Sequence, residues 1–180
     1  MTIYIALLRG INVSGQKKIK MADLKQTLEC KTIVNVITYI QSGNLVFNSN
    51  EKNTMVLEAA INKLIFEAYG FNITVLVLPV DQLKGIYEAN PFHNKKDIEE
   101  NRIYYVFLQQ VPKEEHILSL KKETYENEAF VIAKRCIYLR CAKGYGKAKC
   151  NNNFFEKKLS VRATTRNDRT VTNLLKLAGH

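Results

Sequence analysis

The sequence predicts an α+β fold, with a ferredoxin-like β-α-β-β-α-β N-terminal unit followed by a second, smaller α+β unit that ends in helices. Three observations predict this class. Short apolar runs rich in β-branched and aromatic residues alternate with segments whose apolar residues recur at helical spacing. In the first half these segments follow the order β-α-β-β-α-β. A chain of 180 residues with 46% hydrophobic content is also long enough to bury a sizeable core.

The elements of the first half are identified by their periodicity and by the residues that end them. The clearest helix has a stripe of apolar residues and stops at Gly70. The turn Gln41-Ser42-Gly43-Asn44 separates two short strands and predicts a hairpin. In order, we predict a strand over 3–8, a helix over 21–30, strands over 34–40 and 45–48, a helix over 54–69, a strand over 73–78 and a helix over 81–89.

The second half is separated from the first by a polar stretch. Asn90-Pro91-Phe92 ends the preceding helix, because proline disfavours the helical conformation in the residue before it. We interpret residues 94–101 as a linker, which predicts domains over 1–93 and 94–180. The order β-α-β-β then recurs and suggests two related halves. We predict a strand over 103–108, a helix over 113–122, a hairpin over 129–141, a short helix over 154–159 and a final helix that ends at Ala178.

The positive charge of the chain is concentrated in one segment. The net charge is +10, and between Lys134 and Arg169 eleven basic residues are opposed only by Glu156 and Asp168. Such a field favours phosphate-bearing partners, namely nucleotides, RNA or an anionic metabolite. The alternative interpretation is a solvated basic face without a partner.

Cysteine and histidine usage argues against metals and disulfides. The four cysteines include no C-x-x-C pair, and the three histidines complete no metal-ligand set with them. We therefore expect reduced thiols, no metal and no cofactor. No apolar stretch approaches the ~18 residues needed to span a bilayer, and the start does not resemble a signal peptide. We expect a cytoplasmic protein without a membrane partner, and the oligomeric state stays open.

A polar, arginine-rich run near the C-terminus opens directly into an amphipathic helix pattern. Helix starts present unpaired N–H groups and partial positive charge, so a threonine-capped start flanked by arginines suits an anion. The threonines are also ordinary caps. Capping does not explain three arginines, of which Asp168 offsets one. We therefore predict an anion site made of Arg162, Thr164, Thr165, Arg166, Asn167 and Arg169, with Lys147 and Lys149 closing over the anion.

The loop over residues 9–20 is a second candidate site. It is longer than the ~2 to 6 residues typical of a strand-to-helix connection, and it contains two glycines and several lysines but no P-loop pattern. In the predicted topology the first strand lies beside the third. We therefore predict further ligand-binding residues at one end of the sheet, namely Arg9, Gly10, Asn12, Ser42 and Asn44. Asn and Ser are also common turn residues for local reasons.

Several motifs occur in a characteristic order along nearly the whole chain. They are Leu8-Arg9-Gly10-Ile11-Asn12-Val13, Lys18-Ile19-Lys20-Met21, Tyr39-Ile40-Gln41-Ser42-Gly43-Asn44, Asn90-Pro91-Phe92 and Ala163-Thr164-Thr165-Arg166-Asn167. With them the chain resembles the bacterial family called "domain of unknown function 1697". The resemblance implies a cytoplasmic α+β protein and supplies no activity. Two positions depart from the family pattern, since Asp168 replaces an aromatic residue and Ala148 replaces a serine.

Three hypotheses about function follow. The first is a cytosolic protein that binds a phosphorylated or anionic ligand, such as a nucleotide or an RNA segment, between its two halves. The second is a metal-independent enzyme acting on a small anionic metabolite. The third is a basic interaction module that docks an acidic protein. No serine, cysteine or threonine lies in a recognisable nucleophile motif, so no catalytic residue is assigned.

Overall fold

Strands and helices follow one another in the same order in both halves of the chain. A computed structural model describes residues 1–13 and 15–180. The chain forms two units, Met1–Gly85 together with Asn173–His180, and Ile86–Thr172. The last eight residues therefore belong with the first unit.

The first unit is built on an antiparallel sheet of four strands. Its elements are β1 (Thr2–Leu8), α1 (Met21–Leu28), β2 (Val34–Tyr39), β3 (Asn44–Ser49), α2 (Thr54–Tyr69), β4 (Val75–Pro79) and α3 (Val80–Glu88), which leads into the second unit. The strand order is β2-β3-β1-β4. β1 therefore lies between β3 and β4 and is antiparallel to both. Its pairing with β3 is the one predicted from the sequence.

Helices α1 and α2 form the core of the first unit with one face of the sheet. α2 begins after Asn53, whose side chain accepts the N–H of Met55, and it ends at Gly70 in the left-handed conformation with φ 76°. Its predicted bounds are confirmed. The apolar residues buried between the helices and the sheet include Leu24, Leu28, Leu57, Ile61, Ile65, Tyr4, Ala6, Leu8, Phe47 and Val77.

The second unit also contains an antiparallel sheet of four strands. Its elements are α4 (Lys95–Glu99), β5 (Ile103–Leu108), α5 (Glu114–Leu120), β6 (Glu128–Ile132), β7 (Cys136–Cys141), a 3₁₀ turn (Tyr145–Lys147), α6 (Asn152–Leu159), β8 (Ala163–Asn167) and α7 (Asp168–Leu177). The strand order is β6-β7-β5-β8. Its core includes Val106, Leu120, Leu139, Phe155 and Leu159.

The second unit repeats the first element by element. The order β5, α5, β6, β7, α6, β8, α7 reproduces β1, α1, β2, β3, α2, β4, α3, and the two sheets have equivalent strand orders. In both units a helix begins at the residue that follows the last strand. The α+β class predicted from the sequence is confirmed, and the relation between the halves extends to all seven elements.

Strand β8 occupies the segment in which the sequence predicts a threonine-capped helix start, and that prediction is wrong. β8 pairs antiparallel with β5, with Arg166 opposite Tyr105. Threonine is β-branched and suits a strand that has neighbours to pack against, so pairing with β5 overrides the local capping signal. The final helix begins at Asp168, and the side-chain oxygen of Asn167 accepts the N–H of Thr170.

Helix α4 lies within the polar stretch 94–101. The side-chain oxygen of Asn94 accepts the N–H of Asp97 at 2.9 Å and so caps this helix. Asp97 is 4% exposed and accepts a hydrogen bond from Arg140 Nε of strand β7 at 2.7 Å. The polar residues of this stretch therefore pack as part of the second unit.

All four cysteines are free thiols. Cys136, Cys141 and Cys150 of the second unit are buried, and burial raises the pKa of each thiol. Cys30 of the first unit is partly exposed, and its pKa is lowered, because hydrogen bonds from Thr32 and Ile33 outweigh the opposing effect of burial. Across the described residues, no helix is both long and apolar enough to cross a membrane.

Candidate functional site

The predicted anion-site residues of the C-terminal motif lie along a strand. Arg162 precedes β8, Arg166 lies within it and Arg169 is in the first turn of α7. A strand advances about 3.3 Å per residue, so roughly 16 Å of backbone separates Arg162 from Asn167 at the far end of β8. The three arginines therefore do not surround one helix start, which corrects the arrangement predicted for them.

Arg166 holds its guanidinium inside the fold. The residue is 8% exposed, and its Nη1 donates to Thr164 Oγ1 at 2.8 Å and to the carbonyl oxygen of Thr165 at 2.9 Å. Burial lowers the pKa of Arg166 to about 10, so the group stays charged at neutral pH. Arg166 and the buried Thr164 thus organise the strand, whereas Arg162 and Arg169 are exposed.

Thr165 joins β8 to the 3₁₀ turn and to the start of α6. Its hydroxyl donates to Asn152 Oδ1 at 2.7 Å and accepts from the Tyr145 hydroxyl at 3.1 Å. The Tyr145 oxygen in turn accepts the N–H of Asn152 at 3.1 Å, and its ring packs 5.0 Å from the ring of Tyr104. Tyr145 is therefore a packed residue that fixes the position of the segment carrying Lys147.

We use the term basic loop for residues 142–149, which follow β7. Glu128 of β6 anchors its end, because its carboxylate accepts the N–H groups of Lys149 at 2.8 Å and Cys150 at 2.7 Å. Burial raises the pKa of Glu128, but these hydrogen bonds outweigh it and the pKa is lowered. At the other end, the N–H of Ala142 donates to the carbonyl oxygen of Asn127 at 2.8 Å. The basic loop is thus held at both ends, and its lysines are exposed.

The lysines of the basic loop are exposed, and the charge of Lys149 is close enough to Glu128 to help lower the pKa of that carboxyl group. Lys143, Lys147 and Lys149 form no ion pair within the part of the chain that the structure describes. β7 and β8 both run antiparallel to β5, so the C-terminal residues of both strands lie at the same end of the sheet. The basic loop after β7 and Arg169 after β8 therefore lie at one end of the second sheet.

Other basic residues of the same segment already have partners. Arg140 pairs with Asp97 at 2.7 Å, and Lys158 pairs with Glu123. Arg135 donates to the carbonyl oxygens of Leu108 and Gln109. These cations stabilise the second unit, whereas the lysines of the basic loop, like the exposed Lys134 and Lys157, form no ion pair within the described residues.

In the first unit, Asn12 shapes the long loop between β1 and α1. Its Nδ2 donates to the carbonyl oxygens of Ile19 at 3.0 Å and Gln41 at 2.9 Å, and its Oδ1 accepts the N–H of Ile19 at 2.8 Å. Asn12 adopts φ 54°, a left-handed conformation that asparagine tolerates. Ser14, in the same loop, lies outside the described residues.

The predicted neighbours of Asn12 meet at the same end of the first sheet. Asn44 is fully buried, and its Nδ2 donates to the Tyr39 carbonyl oxygen at 3.1 Å and to Ser42 Oγ at 3.0 Å. The N–H of Arg9 donates to the carbonyl oxygen of Thr74 at 2.9 Å. Pairing of β1 with β3 brings these residues together, as predicted. Gly10 lies beside them with φ 73° and leaves open space around its Cα.

A cavity of about 720 Å³ opens beside this loop. Its lining includes Asn12, Lys18, Lys20 and Tyr69. It reaches the start of α1, where Lys20 occupies the N-cap position and supplies no side-chain hydrogen bond to the helix. The cavity therefore combines two lysines with a helix start that lacks a side-chain cap and has Asp23 in its first turn.

The structure also brings together three polar residues that sequence reasoning missed as a group. His93 Nε2 lies 2.7 Å from the Tyr105 hydroxyl and 2.9 Å from Asp168 Oδ1, and the Tyr105 hydroxyl donates to the same carboxylate at 3.0 Å. Burial raises the pKa of Tyr105. The contacts tie the start of α7 to β5. No spacing along the chain links these residues, so the fold alone reveals the cluster.

Comparisons with known proteins add to this geometry. A family model described as "Protein of unknown function (DUF1697)" matches residues 1–138. The chain is similar to the conserved bacterial protein SP0830 from Streptococcus pneumoniae, with a TM-score of 0.76 and 22% identity over 100% of this chain and 99% of that chain. At that identity the likeness shows a shared fold. No curated protein matches the chain. In the described residues, no group of His, Cys, Asp or Glu side chains is placed to hold a metal ion.

Proposed function

Because the chain belongs to the DUF1697 family, whose function is unknown, we propose a function from its own charges and geometry. The second unit binds a nucleic acid through the phosphate groups of its backbone, and the basic loop makes the contacts. The observation that carries this proposal is the set of exposed lysines, Lys143, Lys147 and Lys149, at one end of the second sheet.

The charge distribution supports a polyanion as the ligand. Eleven basic residues stand against two acidic ones between Lys134 and Arg169, and the basic loop carries three that are exposed and form no ion pair within the described chain. Lysines bind phosphates as point charges and place a protein on a strand without reading its bases. We therefore expect binding that depends on strand charge and is tolerant of base sequence.

Salt dependence tests this proposal directly. Fluorescence anisotropy with a labelled single-stranded RNA of mixed sequence gives the affinity across a range of salt concentrations. Each phosphate contact adds about 0.7 to the slope of log affinity against log salt for single strands. Replacing Lys143, Lys147 and Lys149 by Gln is expected to weaken binding and to reduce the slope by about 2.

A matched variant distinguishes the effect of the basic loop on RNA affinity from the effect of net charge. Lys31, Lys52 and Lys84 are exposed residues of the first unit, and their triple replacement by Gln makes the same change in net charge. This variant is expected to keep most of the affinity and the slope. Equal loss in both triple variants, or no measurable RNA binding by the wild-type protein, contradicts the proposal.

A second candidate function is binding of a small phosphorylated ligand in the first unit. The cavity beside α1 favours it, because Lys18, Lys20 and the uncapped helix start face a space of about 720 Å³, which suits a small molecule. The test is a thermal-shift measurement with inorganic phosphate and adenosine 5′-monophosphate. A ligand at 100 times its Kd adds about 2.7 kcal/mol of stability, and the double change of Lys18 and Lys20 to Gln is expected to abolish the shift.

A further inference from the structure

Strand β6 forms an open edge of the second sheet. In the sheet order of the residues that the structure describes, β7 is its one strand neighbour. The N–H of Ala133 donates to the carbonyl oxygen of Cys136, and the N–H of Ala142 donates to that of Asn127. In an antiparallel pair, alternate residues direct both backbone groups to the same neighbour. The backbone groups of the odd-numbered residues of β6 therefore bond to β7. The N–H and C=O groups of Glu128, Phe130 and Ile132 point away from β7.

Few of these outward groups are used within the described chain. The N–H of Glu128 donates to the carbonyl oxygen of Tyr125 at 3.3 Å. The backbone groups of Phe130 and Ile132 remain available to a further strand. Open edges of this kind pair readily with another chain.

The equivalent edge strand of the first unit is protected, which makes the open edge of β6 specific to the second unit. β2 contains a register shift between Val34 and Ile37, and Asn35 within it has φ 55°. A bulge of this kind bends an edge and discourages pairing. β6 pairs with β7 in unbroken register and has neither a proline nor a lysine within its bounds.

The sequence around β6 is complementary to itself when reversed. Phe130 lies at the centre of an apolar strand, Glu126 precedes it by four residues and Lys134 follows it by four. Both charged residues are exposed, and neither forms an ion pair within the described residues. Glu126 lies in the turn before β6 and Lys134 in the bend after it, so in an antiparallel pair centred on Phe130 the Glu126 turn of each copy lies at the same end as the Lys134 bend of the other. The two ends of the strand therefore carry opposite charges that match those of a second copy in antiparallel orientation.

A groove beside the edge provides room for the side chains of the second copy. A cavity of about 540 Å³ runs along β6 and is lined by Lys121, Tyr125, Phe130 and Ile132 among others. Residues directly opposite in an antiparallel pair have Cβ atoms roughly 5 Å apart. The two Phe130 rings would then lie side by side over this groove.

We propose that the protein forms a two-fold symmetric dimer in which β6 pairs with β6 of a second copy. The four-stranded sheet of the second unit then joins the same sheet of the other copy, and together they form one sheet of eight strands. The opposite charges of Glu126 and Lys134 at each end of the paired segment favour this antiparallel orientation. This inference is independent of the proposed RNA binding.

Charge exchange at the two ends of the strand tests the dimer. The full-length protein is measured by sedimentation velocity over a range of concentrations, where the dimer has twice the monomer mass of 20.7 kDa. Glu126→Lys places like charges together at both ends of the paired segment. Because exposed ion pairs contribute about 0.2 to 1 kcal/mol each, the dissociation constant is expected to rise by about tenfold.

The double variant restores the pairs with their signs reversed. Glu126→Lys combined with Lys134→Glu is expected to return the dissociation constant close to the wild-type value. Glu88→Lys, an exposed change of the same charge in the second unit, serves as control and is expected to have no effect. A wild-type protein that stays monomeric at all concentrations overturns the proposal. So does a dimer that the single variant leaves unchanged or that the double variant fails to restore.

Discussion

Asn44 shows how a polar side chain that the sequence marks for a ligand can serve the backbone instead. It is fully buried at the start of β3, and its amide donates to Tyr39 and Ser42 within the same turn. Asn12 does the same for the loop before α1. A buried amide without partners is costly, so both residues stabilise the end of the first sheet on which the cavity depends.

Replacing Asn44 by Ala tests this structural role. The change leaves the carbonyl oxygen of Tyr39 without its side-chain donor, and a loss of about 1 to 3 kcal/mol in the free energy of unfolding is expected. Urea denaturation measures it. The exposed Asn50→Ala is the matched control and is expected to stay within about 0.5 kcal/mol of the wild type. An Asn44→Ala protein of unchanged stability contradicts the assignment.

The lowered pKa of Asp97 predicts how the free energy of unfolding depends on pH. Hydrogen bonds from Arg140 and Asn94 lower the pKa of this carboxyl group in the folded protein. Such a group stabilises the folded protein fully at pH values above its unfolded-state pKa of about 3.9. This stabilisation is lost as the pH falls further, through the lower pKa of the folded state.

Asp97→Asn is therefore expected to lose about 1 to 3 kcal/mol at pH 7. The difference from the wild type is expected to shrink below about pH 4, as the wild-type carboxyl becomes protonated. Urea denaturation at a series of pH values measures both. A difference that stays constant down to pH 2 shows that the Asp97 charge does not contribute.

Among the elements, β8 is the one that local sequence signals misrepresent. Its five residues, Ala163–Asn167, are mostly polar and lack an apolar run, so the pattern favours a capped helix start. What makes the segment a strand is its pairing with β5, which is distant in the sequence. In the first unit, helix α3 begins directly after strand β4. Had the second half been aligned with the first, the final helix would have been expected to follow a strand in the same way, and that strand is β8.

Replacing Gly43 tests how closely the β2–β3 turn approaches the end of β1. A Cβ at this position would lie 2.7 Å from Leu8 Cβ, and the backbone has φ 74°. Gly70 has a similar φ of 76° but open space around it. Both changes to Ala incur the cost of a left-handed backbone, about 1 kcal/mol. Gly43→Ala is expected to lose about 1 to 3 kcal/mol more by overpacking. Equal losses in thermal denaturation contradict the close approach.

Sequence reasoning predicts elements well where the periodicity is strong. The bounds of α2 and of β5 agree with the structure, because apolar stripes and buried runs carry a local signal. The grouping of Asn12 with Asn44 follows from topology alone. By contrast, Tyr105 lies 12 residues from His93 and 63 from Asp168, and only folding brings them together. The domain boundary at residue 93 stays a prediction.

At the scale of the whole molecule, the chain returns to its first unit at the end. Residues Asn173–His180 belong with Met1–Gly85, although they follow the entire second unit in sequence. Leu174 is fully buried, and Leu175 and Ala178 nearly so. The C-terminal turns of α7 therefore stabilise the first unit.

Leu174→Ala tests this connection. Removing a buried leucine side chain is expected to lose about 2 to 5 kcal/mol. Hydrogen exchange followed by mass spectrometry locates the loss, and amides of β1 and β4 are expected to exchange faster than in the wild type. Faster exchange confined to the second unit contradicts the assignment of the tail.

The uneven placement of the thiols gives the protein an internal reporter of local opening. Cys30 is accessible in the native state, whereas Cys136, Cys141 and Cys150 are enclosed in the second unit. A brief pulse of an alkylating reagent should therefore add one label per native molecule and four once the second unit opens. Intact-mass spectra then count how many molecules have opened at each denaturant concentration, without any engineered probe.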